Sequence, residues 1–170
     1  MINKDIHVEI IPQLQDNYSY IIYSIKNKLA TIIDPAESKS IIEYIKKNNL
    51  NIEAVLLTHH HKDHTEGVKK ILNFFSCNVY SPNKDIIETT HIVKHNDQIK
   101  LNNLSFKILA TPGHTIDHIV YYENNNKILF SGDTLFHYGC GRVFEGTYDQ
   151  MLSSLNIINK LDDATEVYCG

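Results

Sequence analysis

Hydrophobic positions along the chain follow two periods, and the switches between them predict the elements. Alternating or continuous apolar runs mark strands, and apolar residues three and four apart mark helices. Residues 8–11 read as a first strand, stopped by Pro12. Residues 18–25 alternate well enough for a second. Asn27 and Lys28 suit a hairpin turn, and 29–33 returns as a third strand, ended by Asp34-Pro35. Ser38 is placed to cap a helix carrying Ile41, Ile42 and Ile45 on one face, which Asn48-Asn49 ends. The run Glu53-Ala54-Val55-Leu56-Leu57 reads as a buried strand. A helical pattern starts near Thr65, with Val68, Ile71, Leu72 and Phe75 as its apolar face and Lys69 and Lys70 on its wet side. Phe74 and Phe75 read as core packing.

Residues 78–81 form a short strand, and 83–97 are too polar to assign. Residues 104–110 are a strand with Ser105 and Lys107 on the wet side. Residues 119–122 and 128–130 form a hairpin across 123–126. Thr147-Tyr148-Asp149-Gln150 has capping-box form, and Met151, Leu152, Leu155, Ile158 and Leu161 continue with helical period. Residues 166–169 read as a closing strand. Strands thus come in runs separated by a few helices, with no linker and no short repeat. Two mixed sheets packed together, with helices outside, bury both the strand runs and the helix faces. The expectation is one domain over 1–170, of α/β (α+β) class.

Composition narrows the function. A length of 170 residues suffices for a substantial core, and 42% hydrophobic with 21% charged residues is ordinary for a globular chain. The net charge of -4 gives no electrostatic case for nucleic acid or an anionic membrane. No apolar run approaches the ~20 residues of a membrane span, and the N-terminus lacks the apolar core of a signal peptide. Cys77, Cys140 and Cys169 are odd in number and form no C-x-x-C pair, so a reducing, cytoplasmic setting is expected. These figures leave no case for a nucleic-acid or membrane partner, and a monomer is expected.

The chemistry concentrates where strands end. In Thr58-His59-His60-His61-Lys62-Asp63-His64, after the strand 53–57, five of seven residues can bind a transition metal. His59 and His61 are two apart and point the same way, and His60 points the other way. Asp63 and His64 fall in the turn opening the helix. Imidazole suits zinc and iron, and carboxylate compensates charge.

His114, in Thr111-Pro112-Gly113-His114, sits at the mouth of the strand 104–110 and can converge with His59 and His61. His118 reads as a local hydrogen-bonding residue. Asp133, in Ser131-Gly132-Asp133-Thr134, either caps a turn or bridges two metals, and the neighbouring clusters favour the metal. The stretch Gly139-Cys140-Gly141-Arg142-Val143-Phe144-Glu145-Gly146-Thr147 is glycine-rich but is not a phosphate loop. Arg142 is suited to a substrate carboxylate or carbonyl, and Phe144 to packing against a ligand. A surface arginine and a buried phenylalanine are the plain alternatives. Cys140 has no adjacent base, and His7, His91, His95 and His137 receive no role.

Together these motifs resemble the metallo-beta-lactamase superfamily, and within it glyoxalase II, the hydroxyacylglutathione hydrolases. T-H-H-H-K-D-H at 58–64, T-P-G-H-T at 111–115, G-D-T-L-F at 132–136 and G-C-G-R-V-F-E-G-T at 139–147 match in order and spacing. Asp16-Asn17-Tyr18 and Ile33-Asp34-Pro35-Ala36 also fit. The resemblance implies a four-layer αββα sandwich holding two metals, Zn2+ most often, or iron or manganese. By motif position, His59, His61 and His114 bind the first metal, Asp63 and His64 the second, and Asp133 bridges both. Asp63 and Asp133 orient the hydroxide that attacks a thioester carbonyl. Arg142, Val143 and Phe144 contact the glutathione moiety. The implied reaction takes S-lactoylglutathione and water to D-lactate and glutathione, a step in methylglyoxal detoxification.

The sequence departs from the family pattern at several positions. Glu66 and Asp117 stand where the family usually or often has glycine, and Phe144 replaces a tyrosine of some members. The family continues V-Y-C-G with H-E-Y, whereas here V-Y-C-G occupies 167–170. The expectation is a catalytic domain without the last ligand of the second metal and without the C-terminal helical substrate-binding region. Weaker binding at that second site follows. The rival readings are a one-iron persulfide dioxygenase and a catalytically silent metal-binding domain. A beta-lactamase suits the Asp63-His64 pair and the glycine-rich loop less well.

Overall fold

The computed structural model describes residues 5–86, 88–101 and 103–170. Ile87, within the unassigned stretch 83–97, and the first four residues of the N-terminus lie outside the described residues.

In chain order the elements begin with β1 (Ile6–Gln13), β2 (Asn17–Ser24), β3 (Leu29–Ile33), α1 (Lys39–Asn48), β4 (Asn51–Leu56), α2 (Lys62–Thr65) and α3 (Val68–Leu72). There follow β5 (Asn78–Ser81), β6 (His91–Ile92), β7 (Gln98–Leu101), β8 (Leu104–Ala110), β9 (Ile119–Glu123) and β10 (Ile128–Gly132). The last are β11 (Leu135–Phe136), β12 (Gly139–Cys140), α4 (Tyr148–Ile158) and β13 (Glu166–Cys169). One sheet has the order β1-β2-β3-β4-β5-β6 and the other β13-β10-β9-β8-β7, with β11-β12 a small separate hairpin. Both sheets are mixed. β3, β4, β5 and β6 pair in parallel beside an antiparallel β1-β2-β3 meander, and β13 joins β10 in parallel beside an antiparallel β7-β8-β9-β10 run.

The period of two divides each strand between two cores. Tyr20 and Ile22 of β2 and Ala54 and Leu56 of β4 face the second sheet, where they meet Phe106, Ile108, Tyr121, Ile128 and Phe130. Their neighbours Ile21, Tyr23 and Val55 face outward and pack with Ile41, Ile42 and Ile45 of α1 and Val68 and Ile71 of α3. On the far side, Leu109, Val120, Tyr122 and Leu129 pack against Ile158 of α4. The four layers are helix, sheet, sheet, helix: the αββα sandwich of the metallo-beta-lactamase fold.

Four local expectations are revised. β1 continues through Pro12, because β1 is the edge of its sheet and proline's missing N–H leaves no ladder bond unmade there. The helix expected near Thr65 is two short helices, α2 and α3. They part at Gly67, where a Cβ would stand 2.6 Å from the Pro35 carbonyl oxygen. Phe74 is 59% exposed, under Lys46, and only Phe75 packs on the core. Ser38 precedes α1 but its side chain caps nothing, whereas Thr147 and Gln150 complete both halves of the capping box on α4.

Candidate metal centre

Every chemistry-bearing residue lies just past the end of a strand. His59 and His61 follow β4, and Asp63 and His64 lie in α2. His114 follows β8, and Asp133 follows β10. β4 belongs to one sheet and β8 and β10 to the other. The two sheets are joined here by the Ile119 N–H donating to the Thr58 carbonyl at 3.0 Å. The site therefore occupies one edge of the sandwich.

Two groups of donor atoms that share His59 lie at this edge. His59, His61 and His114 offer ligand atoms within 4.8 Å of one another, and so do His59, His64 and Asp133. His114 Nε2 lies 3.0 Å from His61 Nδ1. The Asp133 carboxylate stands between the groups, with Oδ1 3.2 Å from His64 Nε2 and Oδ2 3.3 Å from His114 Nε2. Asp63 Oδ2 is further out, 3.9 Å from His64 Nε2, and accepts a 3.1 Å hydrogen bond from the Asn17 side-chain amide. In the sequence Asn17 stands out only as part of the Asp16-Asn17-Tyr18 motif.

Hydrogen bonds behind the histidines assign their tautomers. The Arg142 carbonyl accepts from His114 Nδ1 at 2.7 Å, so Nε2 carries the lone pair. His64 Nδ1 donates to Asp34 Oδ2 at 3.1 Å. Thr58 gives its hydroxyl proton to the same Asp34 oxygen at 2.6 Å, so its Oγ1 accepts from His59 Nδ1 at 3.0 Å. Three histidines thus have Nδ1–H held from behind and Nε2 turned toward the centre, the arrangement that orients metal-ligating imidazoles. Among the described residues, His59 Nε2, His64 Nε2 and Asp133 Oδ1 are buried with no hydrogen-bond partner. Buried polar atoms left unpartnered are costly, and metal ions held at these donors would satisfy them. The donor set fits a transition metal.

Asp34 is the residue that sequence reading missed. It is buried, and one carboxylate takes the Thr58 N–H, the Thr58 hydroxyl and His64 Nδ1–H. The available signal was an aspartate directly after an apolar strand and before proline, which alone reads as a strand end.

His118 and His60 are not available to the centre. His118 stacks on His59 at 4.8 Å, its Nε2 accepts the Asp133 N–H at 3.1 Å, and its Nδ1 faces the Thr111 and Thr134 hydroxyls. It hydrogen-bonds locally, as expected, and so sets the backbone of Asp133. His60 points away to Asp117 and Glu145.

The electrostatics follow from burial and these partners. Burial, helped by His118, His64 and the other nearby imidazoles, holds His59 well below the ordinary histidine value. Burial also lowers His61, with His114 the next cause, and pushes His118 down to about 3. Burial would lower His64 too, but hydrogen bonds and charge from Asp133 and Asp34 outweigh it and raise His64 to about 10. Asp133 resists the upward push of burial because His64, His114 and His118 hold its carboxyl below the usual range.

The glycine-rich loop closes one side. A Cβ on Gly141 would overlap the Asp133 carbonyl oxygen, so only glycine lets the loop lie this close. Gly132 sits at φ +46°, and a Cβ there would stand 2.5 Å from Thr58 Oγ1. Arg142 is exposed and Val143 half-buried. Phe144 is 63% exposed, not buried, with its ring 5.2 Å from His114 and 6.0 Å from His61.

The fold and this clustering of histidine and aspartate define the class, and the chain belongs to the metallo-beta-lactamase superfamily, whose family model matches residues 14–170. Within the superfamily it groups with the hydroxyacylglutathione hydrolases. It is 40% identical over 169 residues to the hydroxyacylglutathione hydrolase of Bdellovibrio bacteriovorus, covering 98% of this chain and 67% of that protein. To that of Pelagibacter ubique it is 43% identical over 166 residues, covering 96% and 70%. The chain thus spans about two-thirds of the length of these relatives. Among solved structures, the BLEG-1 B3 metallo-beta-lactamase superimposes with a TM-score of 0.87 at 28% identity, over 96% of this chain and 91% of that one.

Proposed function

We infer that the chain is a metal-dependent thioester hydrolase of the hydroxyacylglutathione hydrolase type, releasing D-lactate and glutathione from S-lactoylglutathione. One observation carries this: the Nε2 atoms of three histidines held from behind at Nδ1 converge with the Asp133 carboxylate between them. The 40–43% identity to named hydroxyacylglutathione hydrolases supplies the substrate class.

His59 Nε2, His61 Nδ1 and His114 Nε2 would hold one ion. His64 Nε2 and Asp63 would hold a second, and the two Asp133 oxygens face one group each. The nitrogen-rich donor set suits zinc, and iron also fits. When bound, such ions supply Lewis acidity toward the thioester carbonyl and make hydroxide available near neutral pH.

The chain's own groups do the rest. Asp133 and Asp63 accept hydrogen bonds from the attacking water and orient it. Asn17 holds Asp63 in place, and His118 holds the Asp133 backbone. Arg142 meets a carboxylate of the glutathione moiety, Val143 lines the loop beside it, and Phe144 covers the acyl end. The free cysteines Cys77, Cys140 and Cys169 agree with a cytoplasmic setting. Among the described residues no helix is long and apolar enough to cross a membrane. The second donor group favours this reading over a one-iron dioxygenase.

The test is product analysis with S-D-lactoylglutathione. The reading predicts D-lactate and free thiol in equal amounts. Oxygen uptake with glutathione persulfide and no thiol release from the thioester would reverse it.

A further inference from the structure

His60 is the one histidine of the 59–64 run that the metal centre leaves unused. Its Nδ1 lies 3.0 Å from both carboxylate oxygens of Asp117, and its Nε2 lies 3.1 Å from Glu145 Oε1. Each partner is anchored in turn. Asp117 also accepts the Thr115 hydroxyl at 2.6 Å and the Asn83 side-chain amide at 3.2 Å. Glu145 Oε2 accepts the Ile116 N–H at 2.9 Å. One imidazole therefore joins three stretches far apart in sequence: the turn after β4, the loop 111–118 and the glycine-rich loop 139–147.

The other ties of this part of the loop all run one way. The Phe144 and Glu145 N–H groups share the His114 carbonyl at 3.3 Å each, and the Gly146 N–H reaches the Gly113 carbonyl at 3.1 Å. These bonds fix the loop to the strand end that carries His114. They do not fix it to the strand end that carries His59 and His61. The His60–Glu145 contact does, and Phe144 is the next residue along, with its ring over both His114 and His61.

We propose that His60 is a positioning residue, which clamps the loop 139–147 across the metal centre through Glu145 and Asp117 and so sets where Arg142, Val143 and Phe144 meet the substrate. Its kinetic consequence rests on the thioesterase reading, and its structural consequence does not. Hydrogen bonds between imidazole and carboxylate are stronger than neutral ones when charge assists them. They act here at a half-exposed site, where solvent weakens them. The clamp is therefore expected to order the loop and to contribute little to global stability.

The experiment compares the full chain with His60→Ala, His60→Gln, Glu145→Gln and the double variant His60→Ala/Glu145→Gln. It measures zinc content after loading, amide hydrogen exchange, and KM and kcat for S-D-lactoylglutathione. The clamp predicts unchanged zinc content. It predicts exchange about tenfold faster at Ile116, Glu145 and Gly146, with β4 and β9 unaffected. KM should rise about fivefold to tenfold while kcat stays within about twofold. The double variant should be no worse than His60→Ala alone, because that change already removes the Glu145 contact along with the Asp117 one. His60→Gln, which reaches only one carboxylate at a time, should recover part of the exchange protection.

Loss of a zinc ion in His60→Ala would overturn the clamp and make His60 a ligand, since His60, His61 and Glu145 also lie close enough to hold a cation. Unchanged exchange would overturn it as well. If the parent chain hydrolyses no thioester, the thioesterase reading fails by itself, and zinc content and exchange still decide the clamp.

Discussion

Asp34 and His64 lie 30 residues apart in sequence and meet at 3.1 Å, Oδ2 to Nδ1, with both side chains almost fully buried. Asp34 adopts φ +46°, a left-handed conformation that aspartate tolerates better than most residues. From there its carboxylate spans the start of the histidine run, taking Thr58 N–H at 2.8 Å as well. It directs His64 itself and His59 through the Thr58 hydroxyl.

Asp34→Asn keeps the shape but turns one acceptor into a donor. His64 then loses the partner that holds its proton on Nδ1, and Thr58 loses part of its support. Metal affinity should fall about 10–100-fold, the range for outer-shell partners. Chelator competition measures it. Undiminished affinity would contradict the role given to Asp34.

The metal-free protein should lose stability in acid, with a sign set by its buried histidines. His118 is held down to about 3 by burial, against 6.5 for the free group. Between these values the unfolded chain binds a proton that the folded chain does not. The His118 contribution is therefore complete above about 6.5 and is lost as pH falls toward 3, at about 1.4 kcal/mol per pH unit. His59 acts in the same direction. His64 has the opposite sign: raised to about 10, its contribution is complete below 6.5 and is lost as pH rises through 10. Urea midpoints from pH 4 to 7 (a window of ~3 units on this linkage) should show a shallower slope for His118→Gln than for the parent. Equal slopes would contradict the assignment.

Gly141→Ala tests the close approach of the glycine-rich loop. The added methyl would overlap the Asp133 carbonyl oxygen and stand 3.1 Å from His114 Nδ1. Overpacking of this kind costs about 1–3 kcal/mol. Because the strain falls on Asp133 and His114, metal content should drop along with the urea midpoint. A parent-like variant in both respects would show that the loop gives way easily.

Tyr121 ties the sheets together next to the site. Its ring fills the core between them, and its hydroxyl donates to the Leu57 carbonyl at 2.9 Å. Tyr121→Phe keeps the ring and removes one buried hydrogen bond, so it should cost about 1 kcal/mol in a denaturation series. A gain in stability would mean that Leu57 finds another donor.

Much of this was legible in the chain. The strands 29–33, 53–57, 119–122 and 128–130 could be read because their apolar residues leave few polar gaps, and 104–110 because its buried residues alternate with Ser105 and Lys107 on the wet side. The donor residues could be read because each lies in a stretch that follows such a strand, Asp63 and His64 in the helix just beyond it. The rest depends on contacts that no local pattern records. Pro12 stops no strand because β1 lies at a sheet edge, a fact of topology. Gly67 splits a helix because the Pro35 carbonyl passes close by. Phe74 shares the apolar character of Phe75, and only the direction of the helix leaves it outside. β6, β11 and β12 are two residues each, too short for any period. The roles of Asp34, His118 and His60 appear only once separate strand ends are brought together.

The central claim is that these histidines and aspartates hold the metal that the thioesterase needs. The direct measurement is hydrolysis of S-D-lactoylglutathione by the chain stripped of metal and then reloaded with zinc, beside Asp133→Asn treated alike. The account predicts no hydrolysis when stripped, recovery on reloading, and a rate at least about 100-fold lower in Asp133→Asn. Hydrolysis indifferent to metal, or undiminished by Asp133→Asn, would contradict it.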